Sequence, residues 1–564
     1  MSVELPRATY VERYGPTVGD RIRLGDTDLW VRVTADHATP GDEALWGYAK
    51  NLRLGMSQTA ATSPSELDVV VCGVVLLDPV LGVLKTDIGI KDGRVVGIGR
   101  AGNPAITDGV ELTIGPGTLP IMGHGLIATP GGVDSHVHLI TPRLLPVALS
   151  AGVTTIITAG FEEPVWAMQR MLRTTDTWPL NVGLQAGSRS CEPTANRRLV
   201  EAGAVGFKVH EDYGASAELI DATLRIADEE GVAVCLHTDG LNEAVEIEDT
   251  IAAIDGRVVH AYHVEGAGGG HVPDLISLVG APSVLCSSTT PTLPFTPSAL
   301  DEHLDMILAV HGGHPHVRED VEAALERVRA GTRAAEGPLH DLGAIQIINS
   351  DSQGMGRIGE TIRRTWQLAH VMRGWARSPE GAGWDGGLPP ADDDNDRVLR
   401  YLAKYTIEPA RVHGIAHEVG SLEPGRLADI VLWRPGWFGA KPELVLKSGY
   451  WAWGAFGEGN ASVEHAQPVR FGPHLGAGPT AAPSLSTTFV SPRAADEGLL
   501  TPLGLRRRLS PVIGTREVTR ARLQANRATL PVTVDADGTV RADDRVLQVP
   551  PVTRLPLNRH HRIS

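Results

Sequence analysis

The chain has 564 residues, 42% hydrophobic and 21% charged, an ordinary balance for a globular protein that excludes gross disorder. Its 51 basic and 67 acidic residues leave a net charge of −16, which argues against a general affinity for nucleic acid or an anionic membrane. At about 150 residues per domain the length suggests three or four domains, but one barrel can hold roughly 250, so two or three units are expected.

The first residues, MSVELPRATYVERYG, lack an apolar core, and no uninterrupted apolar run reaches membrane-spanning length. Cys72, Cys191, Cys235 and Cys286 have no paired spacing, so neither a disulfide framework nor a thiolate metal site is indicated. A reduced, soluble, cytoplasmic protein is expected, with no nucleic-acid or membrane partner. The basic run Arg506-Arg507-Arg508 reads as a solvated surface rather than a binding patch.

Before about residue 130 the text reads as β structure. ELDVVVCGVVLLDP is followed by GVLKTDIGIKDGRVVGIGRAG, where Asp92-Gly93 marks a hairpin turn between short apolar alternations. Residues 35–65 are irregular. From about residue 126, β-branched runs alternate with helical patterns. Strands are expected near 133–139, 154–159, 181–186, 204–210, 232–238, 257–263, 283–289 and 344–351. Helices are expected at 162–175, 192–203, 216–230, 298–310 and 319–336. In 216–230, Ile220, Leu224 and Ala227 recur at helical steps behind Ser216 as N-cap. Eight strands alternating with helices is the count of a closed parallel barrel, although an open doubly wound sheet gives the same alternation.

Residues 378–397 read as an exposed loop, after which RVLRYLAKYTIEPARVHGI is helical and GSLEPGRLADIVLWRP returns to strand text. A further hairpin is expected at Asp537-Gly538. The expected architecture is therefore α/β: a (β/α)8 TIM-type barrel over 131–425 with an accessory β domain. That domain is built from the N-terminal segment, 1–130, and from the segment after the barrel, 426–564, which also carries the C-terminal tail.

His136 and His138 stand in GGVDSHVHLI. Residues two apart in a strand share a face, so both imidazoles can reach one metal ion. Alone, a bare His-x-His favours solvent-facing or hydrogen-bonded histidines. Lys208 and His210, in AVGFKVHED, repeat the spacing, and a lysine facing into a barrel is costly unless paired or neutralised. It can be a structural salt bridge, with Asp212 for example. It can also be a lysine of lowered pKa that takes up carbon dioxide, giving a carbamate whose oxygens bridge two cations. His237, His263 and Asp351 each end an apolar run where a barrel strand would open into its mouth, and any one alone could be a helix cap or a buried hydrogen-bonded group. Together, His136, His138, Lys208, His237, His263 and Asp351 fall at the ends of strands one, four, five, six and eight. That set supplies nitrogen and oxygen ligands, without thiolates, for two divalent first-row metals.

Longer blocks are more specific: YGPTVGDRIRLGDTDLWV, GGVDSHVH, GFKVHEDYGA, LHTDGLNE, HAYHVEGAGGGHVPD, SSTTPTLPFT, DEHLDMILAVHGGH, LHDLGAIQIINSDSQGMGR and KYTIEPARVHGIAHEVGS. Through them most of the chain resembles the large (α) subunit of urease, within the binuclear metal amidohydrolases. The resemblance implies a hydrolase that splits urea into ammonia and carbamate with two nickel ions per chain. It implies carbon dioxide held as a carbamate on Lys208, bridging the nickels together with a hydroxide. His237 and His263 would bind one nickel, and His136, His138 and Asp351 the other. His210 would hold the urea carbonyl oxygen and His311 would be the acid on a mobile flap, with Asp212 and Arg327 matching positions that orient and tune it. Smaller β and γ subunits as separate chains, a trimer of such heterotrimers and nickel-delivery accessory proteins are the partners implied.

The chain departs from the family in several places. Val310 stands where the flap usually has cysteine, and Gly354 where alanine is usual. TIITAGFEEPVW leaves a short loop after Gly160 where a glycine-rich stretch helps wall the substrate pocket, and the tail PLNRHHRIS diverges. Two other functions therefore stand beside urea hydrolysis: a binuclear amidohydrolase acting on another small amide or ureide, and a non-catalytic paralogue that keeps the metal site.

Overall fold

The computed structural model describes residues 4–47, 50–160, 164–242, 244–384, 386–388, 391–463 and 469–558. Two β-branched runs, Val69–Asp78 and Gly82–Lys91, pair antiparallel. The second turns at Asp92-Gly93 into Arg94–Gly99, with Lys91 opposite Arg94, so the expected hairpin forms. Ile127–Pro130 joins Val69–Asp78 in parallel and takes Ile430–Trp433 antiparallel on its other edge. Leu444–Lys447, Tyr450–Phe456 and Arg470–Pro473 continue the sheet outward. Chain from both sides of the barrel thus shares one sheet, and Val71, Val74, Leu76, Ile88, Leu432 and Leu446 bury its apolar face. Thr533–Val534 and Val540–Ala542 form the second expected hairpin, around Asp537-Gly538.

The parallel strands begin with Gly132–Val137 and Val153–Thr158. The third is split into Asn181–Gly183, which pairs with the second, and Gln185–Gly187, which pairs with Gly206–Val209. Ala233–Leu236, Val259–Ala261, Val284–Thr289 and Ile347–Asn349 follow in order. A parallel bridge from Val137 to Ser352 closes the ring, so the alternation belongs to a barrel and not to an open sheet. Alternation sorts the side chains. Phe207 and Val209 join the apolar core outside the strands, and Lys208 between them faces the lumen.

Helix Ala217–Glu230 starts where the pattern placed it: Ser216 Oγ accepts the Leu219 N–H at 3.3 Å, and Ile220, Leu224 and Ala227 are buried. The expected helix 319–336 is instead two, Arg318–Glu326 and Ala330–Asp341, separated where Arg329 adopts extended backbone. Ile307, Leu308, Ala324 and Met355 form a small apolar cluster separate from the main core, so helices Ala299–Val310 and Arg318–Glu326 rest largely on each other.

The segment after the accessory sheet returns to the barrel. Thr487–Val490 pairs in parallel with Asn181–Gly183, and Arg508–Pro511 adds beyond it. The arginine run is exposed at Arg506 and Arg508, as the sequence reading expected, and departs from it at Arg507. Arg507 is buried and donates to the carbonyl oxygens of Thr175 and Thr487 at 2.6 and 2.8 Å. Arg506 pairs with Asp176, and Arg508 with Glu418. Backbone acceptors from three elements converge there, information that a linear run of like charges does not carry.

A buried carboxylate joins the sheet to the barrel. Asp429 accepts from the Asn181 amide at 2.7 Å, from the Ser448 N–H at 2.9 Å and from the Lys447 ammonium, whose side chain has no exposed surface. Lys447→Met would strand that charge, and a loss of about 3–5 kcal/mol is expected. Guanidinium denaturation checks this: the single variant should fall well below wild type and Asp429→Asn/Lys447→Met should recover much of the loss, whereas an unchanged single variant would contradict it.

Candidate metal centre and catalytic cavity

At the C-terminal ends of the strands lies a cavity of about 520 Å³. His136, His138, Lys208, His210, Asp212, His237, His263, His311 and Asp351 all line it, nine of the ten residues singled out in the sequence. Arg327 stands just behind. Its Nη1 lies 2.8 Å from Glu211 Oε1, so its nearest charge is Glu211.

Asp351 Oδ1 lies 3.2 Å from Nε2 of both His136 and His138. Donors held at about 2.1 Å around one cation stand roughly 3.0–3.4 Å apart in octahedral or tetrahedral geometry, so this spacing suits a shared ion. On the opposite side the His237 and His263 rings meet edge to face at 4.5 Å, and the His136 and His263 rings are 5.8 Å apart. His263 Nδ1 is buried without a hydrogen-bond partner among the described residues, and Asp351 Oδ1 meets the two imidazole nitrogens, an expensive arrangement for polar atoms unless a cation engages them. Two of these residues also sit in left-handed backbone, His263 at φ +36° and Asp351 at φ +54°, strain typical of positions fixed by function.

Burial sets the charge states. Desolvation, then the neighbouring cations, hold His136 and His237 well below the ordinary imidazole value, and burial followed by His237 does the same for His263. All three rings are neutral, with lone pairs available for metal. Burial lowers Lys208 to about 8, while Asp351 pulls the other way. Burial raises the Asp351 carboxyl, but His138, His263 and Lys208 outweigh it and leave it below its usual value. The donor set therefore fits a pair of divalent cations of the nitrogen- and oxygen-loving class.

His210 Nδ1 accepts the Asp212 N–H at 3.1 Å, which leaves the proton of the neutral ring on Nε2 as a donor. His311 follows helix Ala299–Val310 at the cavity rim. Desolvation and Arg327 draw its imidazole below the ordinary value, against Glu211 and Asp212. His303, one turn into the same helix, is pinned by Ala267 O at 2.6 Å and Arg333 Nη2 at 2.6 Å, which anchors that end of the helix.

Two residues escaped the sequence reading. Tyr262 stacks on His136 at 3.8 Å and lies under the Lys208 ammonium at 3.9 Å; its hydroxyl accepts from Gln185 and donates to Ser135 O. Strict strand alternation would turn it away from His263, but the strand ends at Ala261. Glu211 stands 3.0 Å from His237 Nε2 and accepts the Gly240 N–H. It belongs to the short 3-10 turn Glu211–Tyr213, where the alternation used for Lys208 and His210 no longer holds. Backbone also approaches these side chains closely. A Cβ on Gly268 would come within 2.5 Å of His263 Nε2, and one on Gly354 within 2.4 Å of Asp351 Oδ1. The loop expected to be short after Gly160 has Phe161–Glu163 outside the described residues; Gly160 itself lines the cavity and the next helix begins at Val165.

The amidohydrolase family model matches residues 127–452, and the model of the urease alpha-subunit N-terminal domain matches residues 3–121. Urease subunit alpha 1 of Streptomyces avermitilis is 47% identical over 560 residues, covering 98% of each chain. Urease subunit alpha 2 of Streptomyces coelicolor is 48% identical over the same length and coverage. Among solved structures, a D-hydantoinase from Thermus sp. aligns with TM-score 0.49 and 15% identity over 68% of this chain and 95% of its own. The chain belongs to the urease alpha-subunit family of amidohydrolases, hydrolases of carbon–nitrogen bonds.

Proposed function

We propose that this chain is a urease catalytic subunit that hydrolyses urea to ammonia and carbamate on a nickel pair. The observation that carries the reading is the convergence of His136, His138 and Asp351 on one point, with Lys208, His237 and His263 in the same buried layer. His136, His138 and Asp351 would hold one nickel, His237 and His263 the other, and Lys208 as its carbamate would serve both. Two such cations supply Lewis acidity and make water a nucleophile at neutral pH.

The remaining steps fall to the chain's own side chains. With its pKa near 8, Lys208 is partly a free amine at neutral pH. Its lone pair attacks carbon dioxide, a C–N bond forms, and the ammonium proton leaves to solvent, giving an anion with two oxygens. His210, donating from Nε2, holds the urea carbonyl oxygen. Urea is a poor electrophile because both nitrogens donate into its carbonyl, so the leaving nitrogen must be protonated. His311 gives it that proton, and its lowered value makes its imidazolium a stronger acid. Asp212 favours the charged ring and Arg327 opposes it. Closure of helix Ala299–Val310 brings His311 over the substrate and excludes water. Smaller β and γ subunits assembling as a trimer of heterotrimers, nickel-delivery proteins and a cytoplasmic setting follow from the same reading. A second reading, another small amide or ureide as substrate, is favoured by a cavity of about 520 Å³, roomy for urea.

Lys208→Ala supplies no bridging anion, so most bound metal and all but residual activity should be lost; elemental analysis finding two metals per chain without an added small acid would refute the carbamate. His311→Ala removes an acid and no ligand. Its metal content should match wild type while the rate falls on the order of 10²–10⁴-fold; a collapse in metal content would instead make His311 a ligand. Activation of apoprotein with nickel at fixed dissolved carbon dioxide should quicken as pH rises, half-way near the Lys208 value of about 8. A rate that is flat across that range would contradict attack by the free amine.

A further inference from the structure

Behind the catalytic cavity the barrel lumen holds a second group of ligand-type side chains that the mechanism does not use. Cys235 and His260 are direct neighbours across the parallel strands Ala233–Leu236 and Val259–Ala261. Val234, Leu236, Val259 and Ala261 belong to the core outside the barrel, so Cys235 and His260 face inward. His413 reaches them from below. It follows helix Ile407–Val412, whose last residue packs with Val258, Leu285 and Ile347 to close the lumen. All three side chains are buried, and none lines the catalytic cavity.

His260 Nδ1 lies 3.2 Å from His413 Nε2 and 3.8 Å from Cys235 Sγ, and the three atoms lie within 4.8 Å of one another. A tetrahedral zinc with bonds of about 2.0–2.1 Å to nitrogen and 2.3 Å to sulfur spaces its ligands at roughly 3.4 Å for N···N and 3.6 Å for N···S. The imidazole–imidazole contact and the thiol–imidazole contact share His260 Nδ1, so all three donor atoms crowd one point.

We propose that Cys235, His260 and His413 form a second metal site, for a thiophilic closed-shell cation of the zinc class, distinct from the nitrogen- and oxygen-lined pair at the barrel mouth. Binding forms one S–metal and two N–metal bonds, and the thiol proton leaves to solvent. Three protein ligands leave a fourth position for water. Tyr262 lies between the two centres, stacked on His136 on one side and meeting the His260 ring edge-on at 4.6 Å on the other, so the ion braces the floor of the catalytic layer. Linear spacing concealed this site because its ligands come from three separate elements.

Cobalt(II) separates the two centres, since only a thiolate ligand gives a near-ultraviolet sulfur-to-cobalt charge-transfer band. The full chain carrying Cys191→Ser, which removes the exposed thiol, is titrated with cobalt and then with zinc. The expected result is a thiolate band saturating at one cobalt per chain and bleached by zinc. The band should be lost in Cys235→Ser and in His413→Ala and kept in Lys208→Ala, where the catalytic pair is disrupted. Absence of the band in the full chain overturns the proposal and leaves a hydrogen-bonded histidine pair. Survival of the band in Cys235→Ser or His413→Ala overturns it as well. Because the band is read without turnover, failure of the urease reading would not remove it.

Discussion

A barrel lumen is a place for branched aliphatic side chains, and here one layer of it is filled by a lysine, an aspartate and four histidines. Desolvation is the force that organises this layer. It keeps the His136, His237 and His263 rings neutral, lowers the Lys208 ammonium toward neutrality and leaves His136 Nδ1 and His263 Nδ1 with no hydrogen-bond partner among the described residues. Isolated ions in such surroundings cost several kcal/mol each. Cations bound among these donors convert that cost into binding energy, and the same dry surroundings strengthen every electrostatic effect on a substrate.

The rest of the fold fixes that layer on the barrel strands, with helix Ala299–Val310 at its rim. Strand ends fix the ligands, and the left-handed residues His263 and Asp351 turn their side chains back over the mouth. The accessory sheet is bolted to the barrel through Asp429, and the tail through Arg507 and Glu418. By contrast, His311 rides on a helix whose apolar contacts are mostly with one neighbouring helix. On the proposed reading, ligands set at strand ends and an acid carried on a peripheral helix suit a reaction whose substrate must enter, be enclosed and leave.

Much of this was legible in the sequence because it depends on local periodicity. Alternating β-branched runs fixed the eight strands, and the two-residue spacing of His136 with His138 and of Lys208 with His210 put each pair on one face. The resemblance to the urease large subunit then carried the assignments of His311, Asp212 and Arg327. Residues outside regular strands were harder to read. Tyr262 and Glu211 lie just past strand ends, where alternation fails, and Arg507 is buried by backbone acceptors far away in sequence. The helix expected over 319–336 breaks at Arg329, two residues before Gly331, a single glycine that helical text tolerates.

The most direct measurement is nickel content together with ammonia release from urea, on chain produced with its small subunits and nickel-delivery proteins. The account predicts two nickel ions per chain and a rate that rises in proportion to their occupancy. Protein carrying the full nickel pair yet releasing no ammonia from urea would contradict it.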